Sequence, residues 1–154
     1  MYLYLVQHAE AVSKDIDPSR GLSDQGMDDI NRVSRSISGL DIDVHEIFHS
    51  GKKRALQTAQ VLASHLQIED KVTEVDGLSP MDEPDVWFSK INTLNKNLML
   101  VGHLPHMAKL ASLVICGKKD NKAVNFEMGC IVCLSRDDDL NWSTDWIIKP
   151  KMIK

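Results

Sequence analysis

Two histidines each close an apolar run, and that placement is what a catalytic pair requires. Residues Leu3 to Val6 read as a short buried strand that stops at Gln7-His8-Ala9-Glu10. Leu98 to Val101 stops the same way at Gly102-His103-Leu104-Pro105, with His103 95 positions beyond His8. In an open α/β sheet, chemistry collects at the carboxyl ends of the strands. A neutral imidazole there is a competent nucleophile near pH 7, provided an acceptor holds its other ring nitrogen. A cluster of cations completes the pattern. Lys52, Lys53 and Arg54 stand at the start of a segment with helical periodicity, where positive charge opposes the helix dipole. A bound anion would resolve that conflict, because helix N-termini already favour phosphate groups.

The elements needed to position these residues are legible along the chain. After the first strand, Tyr2 to Val6, a polar loop with Asp15, Asp17, Pro18 and Arg20 leads to Ser23, a natural N-cap. Met27, Ile30, Val33 and Ile37 then recur at helical spacing, and Gly39 ends that helix. A short strand at Glu46 to Phe48 runs into His49-Ser50-Gly51. A second helix follows, with Ala55, Ala59, Leu62 and Leu66 on one face. Val72 to Val75 is expected as a strand, Asp85 to Leu94 as a helix, and His106 to Cys116 as another. Phe126 to Ser135 and Trp142 to Ile148 read as a hairpin around the polar turn Arg136-Asp137-Asp138-Asp139. The whole predicts one domain over 1–154: an α/β, three-layer α/β/α sandwich with a mostly parallel central sheet and an antiparallel edge.

Bulk properties narrow the function classes. The chain is 154 residues long, 43% hydrophobic and 5% aromatic, so one mainly aliphatic core is expected. Eighteen Lys and Arg against twenty-two Asp and Glu give a formal net charge of −4, which argues against general nucleic-acid binding. No apolar run approaches the ~20 residues that span a bilayer. The first residues do not resemble a signal peptide, so a cytoplasmic location with no membrane partner is expected. Cys130 and Cys133 have CxxC spacing, but on a strand they point to opposite faces. Reduced thiols are the expectation for all three cysteines, with Cys130 and Cys133 buried. No HExxH or similar ligand set is present, so neither metal nor cofactor is expected.

Four stretches together resemble the histidine phosphatase (phosphoglycerate mutase-like) superfamily, and in particular its small SixA-type phosphohistidine phosphatases. They are Leu5-Val6-Gln7-His8-Ala9-Glu10, Arg20-Gly21-Leu22-Ser23-Asp24-Gln25-Gly26, Ser50-Gly51-Lys52-Lys53-Arg54-Ala55-Leu56-Gln57-Thr58-Ala59 and Gly102-His103-Leu104-Pro105. Their order and intervals spread the resemblance over nearly the whole chain. It implies a phosphoglycerate mutase-like fold and a metal-independent phosphatase. It also implies that His8 forms the covalent phosphohistidine, that Arg54 and His103 serve the phosphoryl group as catalytic partners, and that Arg20 and Gln7 bind phosphate. The short interval between Ala59 and Leu98 leaves no room for a long capping insertion. The implied partner is therefore a phosphohistidine-containing protein, a phosphotransfer domain or a phosphocarrier, met by a monomer.

Two positions depart from the resemblance. Gln7 stands where the superfamily usually has arginine, and an amide carries no charge; loss of a comparable donor elsewhere costs about 3 kcal/mol. Lys52 or Lys53 is a candidate to restore the charge. Gly51 stands where proline is common. The general acid is unassigned, with Asp82 and Glu83 as candidates. An imidazole leaving group, with a pKa of ~6.5, makes that acid less necessary than a sugar hydroxyl would. Two other readings are a small-molecule phosphatase with the same chemistry, and a phosphate-binding pseudoenzyme inactivated at Gln7.

Overall fold

β1 (Tyr2–Gln7) is buried on both faces because its apolar residues are continuous rather than alternating. Leu3 and Leu5 enter one core while Tyr4 and Val6 enter the other. In the computed structural model, which describes residues 1–154, β1 is an inner strand of a six-stranded sheet. The other strands are β2 (Glu46–His49), β3 (Val72–Glu74), β4 (Leu98–Gly102), β5 (Ile131–Arg136) and β6 (Trp142–Ile148). Their order is β3-β2-β4-β1-β5-β6. The first four are parallel and the last two antiparallel, as the sequence predicts.

Helices cover both faces. α1 (Asp24–Ser38) and α2 (Lys53–Leu66) pack together, and their buried residues join Tyr4, Val6, Met99 and Val101 in one core. α3 (Pro84–Leu94) and α4 (His106–Cys116) pack on the opposite face, with Trp87, Ile91, Met107 and Leu110 against Leu3, Leu5, Leu98 and Leu100. The result is a three-layer α/β/α sandwich. Ser23 caps α1 as expected, its Oγ accepting from Gly26 N at 3.0 Å. Gly26 matters for a second reason: a Cβ there would collide with the Glu10 carbonyl, so glycine lets α1 seat on the loop after β1. No helix is long and apolar enough to cross a membrane.

One strand expectation needs correction. Phe126 to Cys130 is not strand; β5 begins at Ile131. Gly129, at φ 75°, turns the chain so that its N–H donates to the Gln7 and His8 carbonyls at 3.1 Å each. These residues close over the end of β1 instead of extending the hairpin. Cys130 and Cys133 lie in opposite cores as free thiols. Burial pushes both thiols up, to about 12 for Cys133.

Candidate active site

Strand register brings the two histidines together. β1 and β4 are neighbours and parallel, and their last paired row is Gln7 opposite Gly102. His8 and His103 are therefore the next residue on each strand. The His8 N–H donates to the Gly102 carbonyl at 3.0 Å, which holds the pair in step past the end of the sheet. Their rings lie 4.9 Å apart, centroid to centroid, at 55°. They are nearly buried, at 8% and 1% exposure.

The tautomer of His8 follows from its neighbours. Nδ1 lies 2.7 Å from the Ala9 carbonyl oxygen, which only accepts, so Nδ1 carries the proton. Nε2 is then an unprotonated nitrogen with an available lone pair. The Arg54 Nε–H donates to it at 3.3 Å. Burial, followed by the charges of Arg54 and Arg20, lowers the His8 pKa to about 4, against the opposing effect of the Ala9 hydrogen bond. His103 is lowered to about 3, first by burial and then by His8, Arg54, Lys52 and His106. Its Nε2 is 2.6 Å from Ser50 Oγ, while its Nδ1 has no protein partner. Both rings are neutral at pH 7.

That depression has a measurable consequence for stability. The unfolded chain protonates both imidazoles near 6.5, whereas the folded protein keeps them neutral to about 4 and about 3. Between these values the unfolded state binds more protons, so stability falls as pH falls from about 6.5 towards 4. Urea unfolding at pH 7, 5.5 and 4.5 checks this. The wild type should lose more stability across the series than a His8→Gln/His103→Gln protein.

Arg54 is supplied by the first turn of α2, which has no side-chain N-cap and no acidic residue in that turn. Thr58, one turn on, ties it to the β1 end. Thr58 Oγ1 donates to the Arg54 carbonyl at 2.8 Å and accepts from Ala9 N at 3.0 Å. Arg20 comes from the β1–α1 loop at φ 52°, an uncommon backbone for a non-glycine residue. Asp17 holds that loop in shape. Its carboxylate accepts from Ser19 Oγ at 2.6 Å, Gly21 N at 3.0 Å, Lys53 Nζ at 3.0 Å and Ser19 N at 2.9 Å. These bonds hold the Asp17 carboxyl well below its ordinary range. Arg20 Nε donates to the Val12 carbonyl at 3.1 Å. Burial and the Arg20 charge both lower the Arg54 pKa; two like charges kept this close favour an anion between them.

Beside Arg54, whose Nε–H reaches His8, opens a cleft of ≈ 580 Å³ whose wall carries Lys14, Arg20, Lys52, Lys53 and Arg54 against one carboxylate, Asp82. Of these cations Lys53 alone is in an ion pair, with Asp17. A concave surface of this charge, on a chain of net charge −4, selects anions.

The structure thus gathers His8, His103, Arg54 and Arg20 as expected. Gln7 lies beside them in the chain, but its side chain is buried, its Oε1 has no hydrogen-bond partner, and it does not line the cleft. The two acid candidates separate. Asp82 is on the cleft wall, with Oδ2 accepting from Ser79 N at 2.8 Å. Glu83 is drawn away by Lys119 at 2.8 Å. His49 lines a different hollow beside α2, and its Nδ1 accepts from Gly51 N at 3.1 Å. His106 is fully buried and unpartnered. No three His, Cys, Asp or Glu side chains form a metal-ligating cluster. Gly51 matters more than its lack of a functional group suggests: φ 81° is closed to proline, and a Cβ would strike the Glu74 carboxylate. Sequence reasoning missed Asp17 and Ser50 as positioning residues. The Asp-Pro-Ser run at Asp17 carried the signal of a side-chain-capped turn.

Comparison with solved structures shows the same fold. The protein histidine phosphatase SixA complexed with tungstate superposes with a TM-score of 0.89 at 19% identity, covering 100% of both chains. The alpha-ribazole phosphatase from Shigella flexneri gives 0.78 at 13% identity, with 97% of each chain covered. A phosphoserine phosphatase mutant from Entamoeba histolytica, in complex with phosphoserine, gives 0.71 at 15%, covering 97% of this chain and 98% of that one. A search of curated proteins returned no match. The family model for the histidine phosphatase superfamily (branch 1) matches residues 3–85, a segment that contains His8, Arg20 and Arg54. Since that match spans more than half of the sequence and the fold agrees along all of it, the chain belongs to the histidine phosphatase superfamily, branch 1.

Proposed function

We propose that this protein is a phosphohistidine phosphatase that removes the phosphoryl group from a histidine of another protein, a phosphotransfer domain or phosphocarrier. The observation that carries the chemistry is the lone pair on His8 Nε2, fixed by the Nδ1–H bond to Ala9 and faced by Arg54. His8 Nε2 attacks phosphorus, the new N–P bond forms, and the bond from phosphorus to the substrate imidazole breaks. The departing nitrogen keeps that electron pair and takes a proton from water or from Asp82, the one acid on the cleft wall. Water then attacks phospho-His8, the His8 N–P bond breaks, and inorganic phosphate leaves with the neutral imidazole restored. Arg54 and Arg20 carry the phosphoryl charge, and His103 packs against the reacting ring.

The substrate assignment rests on access. Between α2 and β4 the chain builds only a 3-10 turn (Glu69–Lys71), β3 and the eleven-residue α3, and the cleft is open, so an imidazole projecting from a protein surface can enter. Phosphate release is measured from a histidine-phosphorylated phosphotransfer domain and from phosphoserine and sugar phosphates, in excess chelator. Faster turnover of the phosphoprotein supports the reading. Faster turnover of the small esters replaces it with a small-molecule phosphatase, and no release from any of them favours a pseudoenzyme.

Lys52 supplies the charge that Gln7 lacks. It lines the cleft, has no carboxylate partner and depresses His103, whereas the Lys53 ammonium is held by Asp17 and Ser19. Lys52→Gln should weaken competitive inhibition by inorganic phosphate about tenfold, the value of one partly desolvated charge contact. Lys53→Gln should change it less. Equal inhibition constants for Lys52→Gln and the wild type would remove Lys52 from the phosphate site.

A further inference from the structure

The cations of the cleft fall into two sets. His8 feels Arg54 and Arg20, His103 feels Arg54 and Lys52, and Arg54 feels Arg20. Arg54, Arg20 and Lys52 are thus an inner set, close to the reacting rings. Lys14 and Lys53 line the same wall yet act on none of these three groups, so they are an outer set. A phosphoryl group brings a charge of about −2 at pH 7, which the inner set already balances. The cleft, at ≈ 580 Å³, has the size of a small-molecule pocket, roughly 300–1,000 Å³, and is far larger than one phosphate.

The outer set stands on a fixed platform. Lys14 belongs to the β1–α1 loop, which is pinned at its neck by the Val12 N–H donating to the Gly21 carbonyl at 2.9 Å and by the Ala11–Leu22 bridge. Inside the loop, the Ile16 and Asp17 N–H groups donate to the Ser13 carbonyl. Lys53 crosses this loop from α2. A Cβ on Gly21 would meet its Cε at 3.0 Å and its Nζ at 3.2 Å, so the glycine makes room for that stem. The Lys53 ammonium donates to Asp17 Oδ2 at 3.0 Å and Ser19 Oγ at 3.1 Å, which leaves one of its three N–H groups for a ligand. Lys14 is exposed and has no carboxylate partner. The lining holds no aromatic ring and one long apolar side chain, Met81, so nothing there suits a base or an acyl chain.

We propose that the outer half of the cleft is a second anion subsite, and that it lets the site bind small molecules with two linked phosphates, inorganic diphosphate or a diphosphate monoester. The inner phosphate lies on Arg54, Arg20 and Lys52, and the outer one reaches Lys14 and the free N–H of Lys53. Such a ligand occupies the phosphoryl site and so competes with the substrate. The inference goes beyond the phosphohistidine reading and takes from it only the inner phosphate site. Two cation sets at different depths in one concave wall favour a ligand whose charge is spread along its length over one with a single charged end.

The test is calorimetric binding of orthophosphate, inorganic diphosphate and adenosine diphosphate to the His8→Ala protein, which cannot form the covalent intermediate. Diphosphate should bind at least about tenfold tighter than orthophosphate, the scale of one added charge contact. Adenosine diphosphate should match diphosphate within about threefold, because the wall offers its nucleoside nothing. Adding Lys14→Gln should remove most of the diphosphate advantage and leave orthophosphate within about twofold. Adding Lys118→Gln instead, an exposed lysine beyond the far end of α4, should change neither ligand and so controls for bulk charge. Equal affinity for orthophosphate and diphosphate, or a diphosphate advantage that survives Lys14→Gln, overturns the outer subsite and leaves the phosphatase reading standing. Adenosine diphosphate binding tenfold tighter than diphosphate also overturns it, since the nucleoside would then carry recognition. Failure of orthophosphate itself to bind removes the inner site, and with it both the subsite and the phosphatase reading.

Discussion

His8→Ala should abolish turnover, with kcat falling by about 10⁵-fold or more, the scale on which removal of the nucleophile acts in other covalent hydrolases. The reason is specific. His8 Nε2 is the ring nitrogen beside Arg54 whose lone pair is defined by the structure, because Ala9 fixes the proton on Nδ1. His103 cannot replace it: its Nε2 is occupied by Ser50. The loss should appear with every substrate the protein accepts. Phosphate should still bind, because Arg54, Arg20 and Lys52 remain. A stopped assay on purified protein, with inorganic phosphate as a competing ligand, separates lost chemistry from lost binding. Residual turnover above about one-hundredth of wild type would mean that water attacks phosphorus directly and that His8 only orients it.

Arg54→Ala should cost about 10³-fold in kcat/KM, within the range seen when one charged donor is removed from a developing anion. Arg54 sits at the first turn of α2, where a cation opposes the helix dipole. The folded protein therefore gives up little by losing it, and thermal stability should be unchanged or slightly raised. Arg54→Lys should recover only part of the activity, since an ammonium lacks the planar fork that takes two phosphate oxygens. Removing the guanidinium also removes a charge that lowers the His8 pKa. The acid limb of the pH–rate profile should consequently move up towards 6.5. A merely structural role for Arg54 would reverse the pattern, with a lower melting temperature and an unshifted pH limb.

Much of this site was legible because the sheet is simple. Two apolar runs that end in histidine become neighbouring parallel strands, and one shared register row places His8 beside His103. The α1 cap was readable for a local reason: Ser23 accepts from the N–H of Gly26, only three residues on. Features built from distant partners were not readable. Phe126 to Cys130 has the composition of a strand, yet its Gly129 N–H is claimed by the Gln7 and His8 carbonyls, so tertiary bonding overrides propensity. Asp82 and Glu83 are adjacent in sequence and equivalent in type. Only the partner of each, Ser79 N for one and Lys119 for the other, separates the cleft acid from the surface acid. Gly51 stands where proline is common in the resemblance, but at φ 81° glycine is the residue the turn demands.

The central claim is a covalent bond between phosphorus and His8, and the most direct measurement is mass spectrometry of the protein quenched in alkali during turnover of a phosphohistidine-bearing domain. Acid-labile, alkali-stable phosphate should appear on His8, at up to one per protein, with burst kinetics matching the first release of dephosphorylated substrate. Phosphate found on another residue, or steady turnover with no phosphoprotein intermediate at any time point, would contradict the account.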